Sequence, residues 1–166
     1  SRPDDAIVLH FTQSGGGRYT GTVTLEGTHG EGVGISFGSA FPNGLKYGAA
    51  VTARSTRGRV IVDGGHISFA GCKDLTVVVS GGTNYAPDAA KKYRDPSLDP
   101  RKLARAKVRD AAAHSADTLL RTHVADHRAA SGAFGLSLGT STPEQRSLDR
   151  EVDFGAGGHY HRILPA

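Results

Sequence analysis

His123 and His127 stand four residues apart in the stretch HVADHRAASGAFGLSLG, residues 123–139. On a helix this spacing puts both imidazoles on one face, where they could share a zinc ion. A zinc hydrolase of that kind needs a glutamate directly after the first histidine as general base, and Val124 occupies that place. A third ligand would have to come from afar, from His159 or His161 near the end of the chain. The alternative is structural: the two imidazoles and Asp126 hydrogen-bond a packed hinge between a helix and a returning strand. We expect the hinge, with no metal and no cofactor.

The other chemistry-bearing residues form no catalytic constellation. Asp63, Asp74 and Asp88 could on paper pair as acid and base, but each lies among turn residues, where aspartate is ordinarily a turn former. Cys72 is the only cysteine, so no disulfide forms within the chain; with no base at a telling offset it reads as a small filler. The run Gly30-Glu31-Gly32-Val33-Gly34 leads into a strand rather than a helix N-terminus, which argues against a phosphate cradle. No nucleophile elbow, P-loop or paired-cysteine motif is present. Tyr47, Asn84 and Tyr85 could stack on and hydrogen-bond a sugar ring, and they are the substrate-binding candidates. No catalytic residue is assigned.

The elements that must position these residues are mostly strands. The chain has 166 residues with 23 glycines and neither Trp nor Met, so its core relies on Val, Ile, Leu, Ala and a few aromatic rings. Glycine at about twice its usual share suits a sheet protein rich in turns. The length points to one structural domain. Residues 6–12 and 18–26 are β-rich and joined by Ser14-Gly15-Gly16-Gly17, a hairpin signal. Tyr19, Gly21, Val23 and Leu25 alternate with Thr20, Thr22, Thr24 and Glu26, the period of a half-buried antiparallel strand. Further strands are expected at 33–37, 45–54, 58–63, 66–70 and 74–80, separated by Pro42-Asn43-Gly44, Asp63-Gly64-Gly65 and Gly71-Cys72-Lys73. Short strands at this spacing predict an antiparallel β-sandwich over residues 1–86.

Residues 87–132 read as a polar loop followed by helices. Asp99-Pro100 is a helix start, and Ala104, Val108, Ala111 and Ala112 keep helical spacing. His114-Ser115 breaks the pattern, and Leu119, Leu120, Val124 and Ala125 define a second apolar stripe. Residues 133–166 hold a returning strand (Phe134, Leu136, Leu138), a turn at 142–150 and an irregular tail. Net charge is +4. Its cations are interleaved with Asp88, Asp95, Asp99 and Asp110, as on a solvated face, so no nucleic-acid partner is expected. No run of 18 apolar residues exists, so no membrane helix is expected. The N-terminal Ser-Arg-Pro-Asp-Asp is no signal peptide and reads like the interior of a longer chain.

The order of segments resembles a known family. GLKYGAAVTARSTRGRVIVDGGHISFAGCKDLTVVVSGGTNYAP, then DPRKLARAKVRDAAAHSADTLLRTHVADHRA and FGLSLGTST, are similar to the N-terminal region of family-95 glycoside hydrolases, the inverting α-L-fucosidases and related α-L-galactosidases. Thr83-Asn84-Tyr85 ending a strand, the polar loop to Asp-Pro, two helices ending in His-x-x-Asp and a Leu-x-Leu-Gly strand carry the likeness over residues 4–150. The chain departs from the pattern at His127, where the family has Tyr, and at Ala130-Ser131-Gly132-Ala133, which replaces an apolar-aromatic pair. After Val152 the likeness fades. The resemblance implies an accessory sandwich of a carbohydrate-active enzyme, of an often exported kind, whose acid and base sit in a later helical barrel absent here. A free-standing sandwich that binds sugar or protein partners is the alternative, and a small metal-dependent hydrolase built on His123 and His127 ranks below both. The resemblance implies that the chain is the latter half of a larger sandwich plus linker helices, which leaves strand edges and an apolar face unpaired, so self-association is expected.

Overall fold

The computed structural model describes residues 1–27, 29–31, 34–132 and 142–143. The chain divides into two units, residues 1–130 and 131–166. The strand expected at 133–138, most of the turn at 142–150, and His159 and His161 lie outside the described residues. Within these the elements are β1 (Ile7–Thr12), β2 (Tyr19–Thr24), β3 (His29–Glu31), β4 (Gly34–Ala40), β5 (Lys46–Arg54), β6 (Arg59–Asp63), β7 (His66–Cys72), β8 (Asp74–Thr83), α1 (Pro100–Ala112) and α2 (Ala116–Ser131). The fold is mainly β, as expected: two antiparallel sheets, ordered β1-β8-β5-β4-β3 and β2-β7-β6.

Side-chain alternation explains how the layers stack. In β8, Leu75 and Val77 turn toward the smaller sheet, where with Ile35, Val51, Ala53 and Ile67 they form one core cluster. Their neighbour Val78 turns the other way and joins Ala50, Ala104, Val108, Ala111 and Leu119 in a second cluster under the helices. β5 and β8 are thus buried on both faces, so their sequences read as nearly continuous small and β-branched runs. β2 is covered on one face only and keeps the expected period of two, with Tyr19, Val23 and Leu25 packed inward and Thr20, Thr22 and Thr24 exposed.

Turn chemistry sets the connections. Gly64 and Gly65 both take positive φ, 54° and 99°, in the two-residue turn that pairs Asp63 with His66, the geometry right-twisted hairpins favour. The hairpin expected between the first two strands does not form. β1 pairs with β8 and β2 with β7, so residues 13–18 are an arch from one sheet to the other. The physical reason is that a period of two fixes which face a strand buries but not which strand it joins. A glycine-rich arch of this length bridges the ~10 Å between packed sheets.

The helices begin where expected. Asp99 caps α1, its carboxylate accepting from the N–H groups of Arg101 at 3.0 Å and Lys102 at 3.2 Å, with Pro100 in the first helical position. Ser115 restarts the chain, its hydroxyl accepting from Thr118 N–H at 3.1 Å. The expected second stripe is corrected at Leu120 and Ala125, which are exposed; Val124 is half-buried, and the buried residue of α2 is Leu119. Leu120 follows it by about 100° around the helix axis, enough to leave the covered face.

One contact seats α1 on the sheet. Gly38 pairs with Gly48 and Gly48 with Gly82, a row of glycines across β4, β5 and β8. The first turn of α1 lies on this row. A methyl group on Gly48 would stand 2.8 Å from the Arg101 backbone nitrogen and 2.9 Å from the Phe37 carbonyl oxygen. On Gly38 it would meet Arg101 Cβ at 3.2 Å, and on Gly82 a Leu103 methyl at 3.3 Å. Gly48→Ala is expected to destabilise the fold by ~1–3 kcal/mol, the cost of overpacking between backbones. Gly81→Ala, where the nearest atom lies at an ordinary 3.4 Å, should change stability by less than about 0.5 kcal/mol. Urea unfolding of both variants checks this; equal effects would refute the role of the row.

Candidate functional site

The carboxylates named in the sequence are separated by the topology. Asp63 stands at one end of β7, and Asp74 follows its other end. Asp88 lies in the loop beyond β8, whose first residue is Asp74. Its carboxylate accepts from Ala90 N–H at 2.9 Å and faces Lys91 at 3.8 Å. Cys72 is fully buried, its thiol 3.7 Å from the carbonyl oxygens of Arg59 and Ala70, a packed filler. Among the described residues no group of three or more His, Cys, Asp or Glu is placed to hold a metal ion.

The histidine pair shares a face of α2, with ring centroids 6.2 Å apart. Asp126 lies between them in sequence and binds the Arg2 guanidinium, with Arg2 Nε donating at 2.7 Å. That hydrogen bond is the main reason the Asp126 carboxyl is held below its ordinary range. The pairing ties the N-terminal segment to α2; the strand that the expected hinge would join lies outside the described residues. Among the described residues the buried Nδ1 of His123 has no hydrogen-bond partner.

The sugar-binding candidates come together only in part. Asn84 is buried, 2% exposed. Its side-chain oxygen accepts from Lys46 N–H at 2.7 Å, and its own carbonyl accepts from Asp95 N–H at 2.8 Å. It closes the loop 84–95 against β5 and offers no group to a ligand from that oxygen. Tyr47 is half-buried in an aromatic cluster, its ring 6.0 Å from Phe37 and 4.7 Å from Phe41. Tyr85 is open, and its partner is a residue the sequence reading passed over. Tyr93 lies parallel to it, interplanar angle 4° and centroids 6.4 Å apart, with the two residues 55% and 53% exposed.

The loop that carries this pair is held tightly. Lys92 and Tyr93 both adopt left-handed backbone, φ 52° and 58°, at a cost of ~1–2 kcal/mol each for non-glycine residues. Main-chain bonds offset it: Tyr93 N–H to the Asp88 carbonyl at 2.8 Å and Ala86 N–H to the Tyr93 carbonyl at 3.1 Å. Tyr85 also forms a β-bridge with Arg94. The Arg94 guanidinium donates to the Asn43 carbonyl, clipping the loop to the turn between β4 and β5. The same end of the sandwich thus presents a pair of parallel tyrosines and the turn that carries exposed Phe41.

The opposite end carries a polar cleft of about 350 Å³ lined by His10, Arg54, Thr56, Asp74, Thr76 and the start of α2. His10 Nδ1 lies 2.9 Å from the Thr76 hydroxyl. Burial pushes the Asp74 carboxyl up, but hydrogen bonds from the Thr56 hydroxyl and N–H outweigh it, so its pKa is lowered. Arg54 donates to the His114 carbonyl, joining β5 to the corner between the helices. No protein-family model matches this chain, and no curated protein does either.

Asp74 generates a pH prediction. Its folded pKa lies below the unfolded value of about 3.9, so its stabilisation is fully present above that value and is lost as the pH falls through the folded pKa. The stability gap between the protein and Asp74→Asn, from urea titrations, is expected to hold from neutral pH to about pH 5 and to close in the acid range. A gap that stays constant through the acid range would refute the assignment.

Proposed function

We propose that this chain is a non-catalytic carbohydrate-binding β-sandwich, an accessory domain of the glycoside-hydrolase kind its sequence resembles. The observation that carries the reading is the parallel, exposed Tyr85–Tyr93 pair on a loop clipped at both ends. A sugar ring offers a face of C–H groups, and rigid aromatic faces bury it at low entropic cost because the rings are already fixed. Strained backbone kept at an exposed position is a feature that clusters at ligand sites, and here it lies on Tyr93 itself. Asn84 takes a positioning role, holding the loop. The likeness to fucosidase N-terminal regions supports a glycan containing L-fucose or L-galactose as the first to test.

Titration calorimetry with fucosylated and galactosylated oligosaccharides tests the reading. Tyr85→Ala and Tyr93→Ala are expected each to weaken binding by about tenfold or more, equivalent to about 1.4 kcal/mol, with circular dichroism unchanged. The same chain is expected to release nothing from an aryl α-L-fucoside above the buffer blank. Binding indifferent to both tyrosines, or turnover that a carboxylate substitution abolishes, would overturn the proposal.

A further inference from the structure

The open edge of the sandwich carries a second feature, independent of the tyrosine platform. Among the described residues β1 borders the larger sheet and β2 the smaller one. The ring of Tyr19 on β2 meets Phe11 on β1 with centroids 6.1 Å apart, so the two edges lie on the same side of the molecule. Ile7, Leu9 and Phe11 stand opposite Val79, Val77 and Leu75 of β8. They therefore point between the sheets, yet are 64%, 46% and 43% exposed. β1 pairs with β8 residue for residue over its whole length, without a bulge. It contains no Lys, Arg, Asp, Glu or Pro, the residues with which edge strands ordinarily block further pairing.

We propose that this side is the interface of a two-fold dimer formed by two copies of this chain. An antiparallel pairing of β1 with its copy about Leu9 sets Ile7 against Phe11 and Leu9 against Leu9, apolar against apolar. On the other face it sets Val8 against His10, so no like charges oppose each other. The flanks of β2 are charge-complementary in the same sense. Arg18 precedes the strand and Glu26 follows it, both exposed. An antiparallel juxtaposition of β2 with its copy about Thr22 sets Arg18 against Glu26 twice over. An unlike partner would have to supply a matching apolar edge and the reverse charge order, whereas a second copy has both. The dimer extends both sheets, satisfies the β1 backbone groups that have no strand partner among the described residues and covers the three exposed side chains.

Sedimentation equilibrium over a wide concentration range tests this on the full chain. The protein is expected to dimerise, and Ile7→Lys to weaken the dimer by roughly a hundredfold, while Ile61→Lys, on the far edge strand β6, leaves it unchanged. Arg18→Glu and Glu26→Arg should each weaken association, and the double variant should restore it. Because both residues are exposed, that swap reads the interface without disturbing the fold. A monomeric protein, open-ended aggregation, or a dimer insensitive to Ile7→Lys and to the charge swap would overturn the proposal.

Discussion

The close approach of α1 to the glycine row is the constraint on which the rest of the architecture depends. A side chain on Gly48 would overlap the van der Waals surface of the Arg101 backbone, so the helix sits almost on the sheet itself. The residues around it are correspondingly small: Ala50, Ser36 and Ser80 from the sheet, and Ala104 and Ala111 from the helix, all buried. Layers this close make many weak dispersion contacts in place of a few large side chains. This explains how a chain without Trp or Met, and with few Phe, still builds a core two layers deep. The placement of α1 then fixes where the loop before it must end. Asp99 caps the helix, and Asp95, whose carboxylate accepts from Ser97 N–H at 2.9 Å, turns the chain into that cap.

Downstream of that constraint, the two ends of the sandwich differ in what they hold. At the end of β8, buried Asn84 bridges the loop to β5, and Arg94 bridges it to the turn before β5. Both bridges run from the loop to neighbouring chain, so the loop carries Tyr85 and Tyr93 as a supported surface rather than a free tip. At the start of β8, side chains bond within the protein: the Thr56 hydroxyl donates to Asp74, Thr76 meets His10, and Arg54 donates to the His114 main-chain carbonyl. The cleft there joins the sheet to the corner between the helices. Arg54 Nε is buried there with no hydrogen-bond partner among the described residues, so the cluster keeps one donor that its neighbours leave unused.

Much of the fold was legible because local chemistry dictated it. The Gly64-Gly65 turn, the Asp99-Pro100 start and the break at His114-Ser115 each rest on a residue type with a single local use. Partner choice was not legible: the arch at 13–18 and a true hairpin share the same glycines and the same alternation. The glycine row was hidden for a related reason. Gly38, Gly48 and Gly82 are far apart in sequence, and only the strand register brings them together. At the candidate site, Tyr85 was visible as an aromatic after a strand, whereas Tyr93 was masked by the charged run Lys91-Lys92-Tyr93-Arg94. Asn84 was picked out for its hydrogen-bonding groups. Its burial uses its side-chain oxygen on Lys46, which no pattern in the sequence announces.

The electrostatics bear on what such a chain can do chemically. A general acid working near neutral pH must have its carboxyl raised, by an apolar pocket or by a neighbouring carboxylate. Where carboxyl groups are shifted among the described residues, they move the other way. At Asp74 burial opposes the shift, and the Thr56 hydrogen bonds prevail. Hydrogen bonds from Ser97 lower Asp95, and the Arg2 hydrogen bond lowers Asp126. Each is held as a carboxylate by donors that a reacting group would have to displace. Proton donation from any of them would first break the contact that orders a turn, a cap or the tie between the N-terminal segment and α2. Acidic residues used in this way stabilise the ionised form and the fold together, and a site that works through surface stacking makes no demand on them.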